Sequence, residues 1–161
     1  MAKSRKRSAN QSPNDRLVCR NRRARHDYEI LQQWEAGLAL LGSEVKSIRD
    51  GKISLEEAYV RYRDGELWLV NAHIAEYPQA NVQNHDPLRP RKLLLHRREI
   101  RQIRDQIERP GVTAIPLEVY LKRGLVKLRV AVARGRKQHD KREVLRKKAD
   151  EREIREALRR R

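Results

Sequence analysis

Residues 58–70 read AYVRYRDGELWLV, and the Asp64-Gly65 pair inside them decides how the body of this chain folds. Two runs that alternate apolar and polar residues meet at Asp-Gly. A two-residue type I′ turn demands positive φ at both of its central positions, which Asp tolerates and Gly adopts freely. The stretch therefore reads as a β-hairpin. With a side-chain period of two, Ala58, Val60 and Tyr62 face one side while Tyr59, Arg61 and Arg63 face the other. Downstream, IPLEVYLKRGLVKLRVAVARG (115–135) predicts a second hairpin turning near Arg123-Gly124. Its far strand alternates Val126, Leu128, Val130 and Val132 against Lys127 and Arg129.

Upstream of the first hairpin, YEILQQW (28–34) and EAGLALLG (35–42) read as extended chain, with Gly37 and Gly42 where a strand bends or ends. SEVKSIRD (43–50) predicts a two-turn helix with Ser43 as N-cap, Val45 and Ile48 on one face and Gly51 as the stop. Between the hairpins, YPQANVQNHDPLRPR (77–91) is a loop punctuated by Pro78, Pro87 and Pro90. LLLHRREIRQIRDQIER (93–109) then places Leu95, Ile100, Ile103 and Ile107 near helical spacing, ended by Pro110-Gly111. Short antiparallel strands with two inserted helices predict a mainly β fold, a small closed antiparallel barrel with embedded short helices. An oligonucleotide-binding-type barrel fits, and the strand count alone leaves other small barrels open.

The chain has 161 residues, a net charge of +17 and a pI of about 10.7, which suits a partner rich in phosphate. Residues 1–25 carry +8 and residues 134–161 carry +7, leaving +2 for the stretch 26–133. A nearly neutral body between basic arms is the expected organisation: a disordered arm over 1–20, an RNA-binding barrel over 21–133 and a basic tail over 134–161. The tail's apolar residues are Val144, Leu145, Ala149, Ile154, Ala157 and Leu158, too few to offset the ordering entropy by burial. It is therefore expected to be disordered when free and helical on contact with a partner. Leu145 and Ala149 are four apart, as are Ile154 and Leu158, and Glu143-Lys147 and Glu151-Arg155 are helpful pairs at the same spacing.

Catalysis finds no foothold. Cys19 stands alone, which rules out an intramolecular disulfide and fits a reducing compartment. His26, His73, His85, His96 and His139 lie far apart without HExxH spacing, so a metal pair from His73 and His85 has no motif behind it. No GxSxG elbow or Walker loop occurs, and Asp64, Asp86 and Asp105 read as surface acids. No enzyme activity, metal or cofactor is expected. No stretch approaches the ~20 apolar residues of a membrane span, so no membrane partner is expected either. The N-terminal stretch 1–14, MAKSRKRSANQSPN, is basic but lacks the apolar segment of a secretory signal. Its KSRKR fits a nuclear-import patch or a phosphate-binding arm equally.

Binding chemistry fares better. NRRAR (21–25) and KRGLVKLR (122–129) supply cations whose phosphate contacts release counterions. Lys127 and Arg129 share one strand face and can track a backbone; the plainer alternative is charge on a wet face. Glu35 would repel phosphate, so its useful role is to accept hydrogen bonds from base or 2′-hydroxyl donors, and its plainer role is a salt bridge to a nearby Arg. His96 can stack on or hydrogen-bond a base, or simply cap the following helix.

Five blocks carry a resemblance: NRRARHDYEI (21–30), EAGLALLGSEVKSIRDGK (35–52), YVRYRDGELWLVNAHI (59–74), HDPLRPRKLLLHRREI (85–100) and GRKQHDKRE (135–143). Together, in this order, they resemble the small protein B family of bacterial tmRNA-binding proteins over about residues 20–161. RKLLLHRREI and GRKQHDKRE are the most diagnostic. The resemblance implies an oligonucleotide-binding-type barrel and a non-catalytic, cytoplasmic adaptor of trans-translation. Such an adaptor binds the tRNA-like domain of tmRNA in place of its missing anticodon arm. With elongation factor Tu it brings the charged RNA to stalled ribosomes. The family's RNA contacts fall on Glu35, Leu94 and His96, the last an asparagine in some members. His26, with Arg22, Arg23 and Arg25 around it, matches a second cluster. Lys127 and Arg129 complete the expected tmRNA face. In the tail, Gly135, Lys137, His139, Asp140, Lys141 and Arg142 match the segment that family members place near the decoding centre, and Ile154 matches an apolar helix position. Inside an empty mRNA channel, rRNA phosphates would neutralise the tail and message would exclude it, so the tail would sense vacancy. A structural ribosomal protein with rRNA-threading arms is the alternative reading.

Overall fold

A computed structural model of the chain describes residues 15–159, without the side chains at 81 and 138–141. Most of the arm expected over 1–20 lies outside the described residues. Its last part does not fit the expectation: Arg16–Arg20 form strand β1 along the edge of β8 (Val112–Lys122), with Arg16 opposite Leu121 and Arg20 opposite Glu118. The strand forms because Val18 and Cys19 pack against the core, and burial pushes the Cys19 thiol above its ordinary range.

Helix α1 (Arg22–Asp27) is short, and Asn21 makes it possible. The Asn21 side chain accepts the Ala24 N–H at 3.2 Å, capping the first turn, while its amide donates to the carbonyls of Leu55 (3.2 Å) and Pro116 (3.1 Å). Strand β2 (Tyr28–Leu38) follows, then α2 (Gly42–Arg49). Ser43 is not its N-cap as the sequence suggested. Leu41 holds that position, its N–H bound by Glu44 at 2.8 Å, and Ser43 instead bonds His85.

The first hairpin is as expected: β4 (Tyr59–Arg63) and β5 (Glu66–Val70) join through Asp64 and Gly65 at φ 52° and 79°. The second joins β8 to β9 (Leu125–Gly135) through Arg123 and Gly124 at φ 51° and 77°. The two-residue strands β3 (Ile53–Ser54) and β6 (His73–Ile74) pair with each other. A 3-10 helix over Pro78–Gln83 punctuates the long loop. Leu93 and Leu94 belong to strand β7 (Arg91–Leu94), and α3 (Arg97–Ile107) starts only after His96.

Strands β8, β4, β5, β7, β2 and β9 follow one another, and β9 pairs back onto β8, so the antiparallel sheet curls into a nearly closed ring. Its seams are thin. Between β4 and β8 there is one registered pair, Val60 with Ala114, and between β2 and β7 there are Gly37 with Leu94 and Leu38 with Leu93. Leu67, Leu69, Leu93, Leu128 and Val130 fill the interior, closed by Ile48 of α2 and Ile103 of α3. A second cluster lies outside the ring, where Ala24 of α1 packs on Ile115, Leu117, Ala131 and Ala133. Alanines there let the short helix approach, and they explain why β8 and β9 read as unbroken apolar runs at that end.

The tail departs most from expectation. Instead of a disordered segment, Gln138–Arg159 form helix α4. Its 22 residues exceed the ~12–15 below which isolated helices are marginal, and most are good helix formers. It meets the body at α1, yet Leu145, Ile154 and Leu158 stay 52%, 61% and 71% exposed. The sparse apolar content was read correctly as leaving little to bury. What it failed to forbid was a solvated helix.

Candidate nucleic-acid interface

Register brings the expected residues together. On the outer face of β2–β9–β8, Glu35 lies opposite Arg129 and Arg129 opposite Glu118; in the next row Gly37 lies opposite Lys127 and Lys127 opposite Tyr120. On its other side Gly37 faces Leu94 of β7, whose exposed side chain fills the space a Cβ would need: one built there would sit 3.2 Å from the Leu94 Cβ. His96 follows at the N-cap of α3, its N–H donating to Glu99 at 3.0 Å and its ring exposed. Glu35, Leu94, His96 and Lys127 thus line one open groove of about 690 Å³.

Glu35 has the partners that its plainer role asked for, though they differ from those expected. Tyr120 donates its hydroxyl to Oε2, and Lys122 Nζ reaches the two oxygens at 3.1 and 3.2 Å. The Tyr120 bond, followed by the Lys122 ammonium, holds the carboxyl below the usual carboxylate range, outweighing burial, which raises it. An ionised carboxylate has about four acceptor sites, so capacity remains on the groove side. Tyr120 responds in kind: burial, then the Glu35 bond, push its phenol up to about 12.

The expected pair Lys127 and Arg129 share a face but not a role. Arg129 is tied to Glu118 at 3.2 Å and lies over the Tyr120 ring, 5.4 Å from its centroid, while Arg20 holds the other Glu118 oxygen at 3.5 Å. Lys127 makes no salt bridge among the described residues. Arg20, Glu118, Tyr120 and Arg129 line a second groove, about 440 Å³, which shares Glu35 with the first.

Arg22, Arg23, Arg25 and His26 are elsewhere. They sit on α1, which packs through Ala24 over Ile115, Leu117, Ala131 and Ala133, farther along the same strands than the Glu35–Arg129 row. Arg23 pairs with Glu57 at 3.5 Å, and His26 Nδ1 lies 2.9 Å from Asp27. That end is also where the tail begins: Gly135 lies opposite Tyr28, and the Arg136 N–H donates to the Asp27 carbonyl at 2.9 Å. Lys137, Arg142 and Ile154 are exposed; His139, Asp140 and Lys141 lie in α4, their side chains outside the described residues.

Sequence reasoning missed a buried ionic cluster behind the groove. Glu44 and Arg91 are fully buried, joined at 2.9 Å, and Arg89 adds a second guanidinium at 2.6 Å. Arg91 also donates to the carbonyls of Ala72 (2.6 Å), Asp86 (3.3 Å) and Pro87 (3.1 Å). Burial raises the Glu44 carboxyl, but the bonds from Arg89, Leu41 N–H and Arg91 outweigh it and keep the group below its ordinary range. Nearby, His85 Nε2 lies 3.0 Å from the Ile74 carbonyl and Nδ1 2.8 Å from the Ser43 hydroxyl. The Ile74 carbonyl can only accept, so Nε2 donates to it, and Nδ1 shares the second bond with the Ser43 hydroxyl. The cluster fixes β7 and the loop before it, and so the positions of Leu94 and His96.

Among the described residues no three His, Cys, Asp or Glu gather as a metal site, and no helix is long and apolar enough to cross a membrane. An antiparallel ring bearing cations, a groove-facing acceptor and exposed aromatic and apolar groups is the make-up of an RNA-binding β protein. The comparisons agree. Residues 18–160 match the SmpB protein family, and the chain belongs to it, a family of non-enzymatic RNA-binding proteins. The SsrA-binding protein of Ligilactobacillus salivarius is 46% identical over 150 residues, 93% of this chain and 97% of that one. The SsrA-binding protein of Thermosynechococcus vestitus is 50% identical over 147 residues, 91% and 97% of the two chains. Among solved structures, a chain from "tmRNA-SmpB: a journey to the center of the bacterial ribosome" superposes with a TM-score of 0.64 at 46% identity, over 80% of this chain and 94% of that one.

Proposed function

We infer that this chain binds SsrA RNA (tmRNA) and acts with it in trans-translation on the ribosome, in the cytoplasm and without catalysing a reaction. The observation that carries the reading is the convergence of Glu35, Leu94, His96 and Lys127 on one groove, from three separate stretches of sequence. The nearly closed ring supports an oligonucleotide-binding-type barrel, whose outer face takes the tRNA-like domain of tmRNA. Lys127 meets phosphate, and the free lone pairs of Glu35 take base or 2′-hydroxyl donors. The α1 cations form a separate contact beside the root of the tail. Elongation factor Tu accompanies the aminoacylated RNA.

In this reading α4 enters the mRNA channel when no message fills it. Its 22 residues span about 33 Å at the helical rise of 1.5 Å per residue, and rRNA phosphate neutralises its cations. Message and helix compete for one volume, so engagement reports vacancy.

The test separates body from tail. Truncation after Arg136 should leave affinity for the isolated tRNA-like domain intact and abolish tagging on stalled ribosomes. Glu35→Ala should weaken RNA binding by more than the ~0–1 kcal/mol of an exposed salt bridge. Equal loss of both functions on truncation refutes the division of labour, and an unchanged affinity in Glu35→Ala leaves that residue a surface ion pair.

A further inference from the structure

The hairpin that decides the fold also carries a pocket, on the part of the ring away from the Glu35–Lys127 row. Arg61, Arg63, Asp64, Trp68, Val70 and Pro90 line a depression of about 440 Å³. That is within the roughly 300–1,000 Å³ of small-ligand pockets. Arg61 lies directly opposite Trp68, and Arg63 opposite Glu66, so two cations and an indole line one depression on the sheet's outer face. Arg63 is loosely held by Asp64 at 3.5 Å, both groups well exposed. Among the described residues the indole is held by no hydrogen bond: Trp68 Nε1 is shut from solvent with no acceptor. A buried indole N–H normally finds a partner, so a small ring rotation toward a ligand oxygen would cost no existing bond.

We propose that this pocket takes one unpaired nucleotide of a bound RNA, its base against the Trp68 indole and its flanking phosphates between Arg61 and Arg63. Three observations favour RNA over an acidic protein. An apolar floor of Trp68, Val70 and Pro90 fits a flat base, whereas a carboxylate has no use for it. Arg guanidinium and indole together are the usual stacking pair for single-stranded nucleic acid. The surface is also continuous with the RNA groove: Trp68 lies opposite Lys92 of β7, and Lys92, Glu66 and Leu94 line that groove. A strand leaving His96 and Leu94 reaches Trp68 in a few strand spacings of ~4.8 Å. This inference rests on the RNA-binding reading above.

Two measurements test it. The intrinsic fluorescence of the full chain is titrated with single-stranded octauridylate at several salt concentrations, for the wild type, for Trp68→Phe and for the double variant Arg61→Ala/Arg63→Ala. The same proteins are then titrated with the tRNA-like domain. The expected result is quenching that disappears in Trp68→Phe, leaving only Trp34 as emitter. In the arginine double variant, octauridylate affinity should fall about tenfold or more, with the slope of log K against log salt shallower by about 1.4 for two single-strand phosphates. Both arginines are exposed, so the double variant should fold. Absence of quenching, or an unchanged affinity and slope, overturns the proposal. If the tRNA-like domain still binds with full affinity in that case, the proposed function stands without the pocket. Quenching by a polyglutamate peptide in place of octauridylate also overturns it, in favour of an acidic protein partner.

Discussion

Glu44→Ala is expected to cost more stability than any exposed substitution, because it strands a charge. Arg91 is fully buried and its guanidinium meets Glu44 at 2.9 Å; once the carboxylate is gone, three backbone carbonyls remain to hold a cation with no counter-charge. Breaking one side of a buried ion pair costs about 3–5 kcal/mol. At ~2–4 °C per kcal/mol for a chain of this size, Tm should fall by roughly 6–20 °C. Arg89 is a third exposed and can turn to water, so the loss is dominated by Arg91. The double variant Glu44→Met/Arg91→Met should recover part of the loss, since apolar side chains can replace a buried pair, while the carbonyl of Ala72 and the N–H of Leu41 lose their partners. Thermal unfolding followed by circular dichroism reads both. The pH dependence has a definite sign. The folded carboxyl titrates below its unfolded value, so its contribution is complete above that unfolded value, near 4.5, and is lost as pH falls through the folded one. The gap between wild type and Glu44→Gln should therefore close with acidification. A Tm shift below 2 °C for Glu44→Ala, or a double variant less stable than the single, would refute the reasoning.

Tyr120→Phe removes the strongest influence on Glu35, so the Glu35 carboxyl should rise toward its ordinary range in an NMR titration, and the tyrosine that ionises near 12 should vanish from the ultraviolet titration. No upward movement would mean that Lys122 alone sets the ionisation. Truncation after Lys137 should remove helical signal equivalent to the 22 residues of α4 while leaving the unfolding midpoint of the body in place. An unchanged helical signal would show that the tail is not helical in the free chain.

What the sequence revealed was local. Asp64-Gly65 and Arg123-Gly124 specify hairpins through the φ values they tolerate, and strand alternation then puts Lys127 and Arg129 on one face without further information. The groove is a different matter. Glu35 and Leu94 meet only because Gly37 registers with Leu94, a pairing that no pattern within either segment encodes. The Glu44–Arg91 pair stayed hidden because charged residues are read as surface unless a partner is known, and here the partner comes from a distant strand. Helix α1 is too short to show periodicity, its one buried residue being Ala24. The tail was misjudged for an energetic reason: low apolar content argues against a packed segment, but the backbone of a long run of good helix formers can close its own hydrogen bonds in water.

Only Arg136 and Lys137 separate the last residue of β9 from the first of α4, and the first of them is pinned to Asp27. The tail is thus a rod on a short joint. For a rod about 33 Å long, a turn of about 10° at that joint swings the far tip by about 6 Å. Small rotations at two peptide units therefore become displacements the size of a nucleotide. A glycine or proline placed at 137 would change where the tip lands while keeping the Arg136 N–H that holds the joint to Asp27.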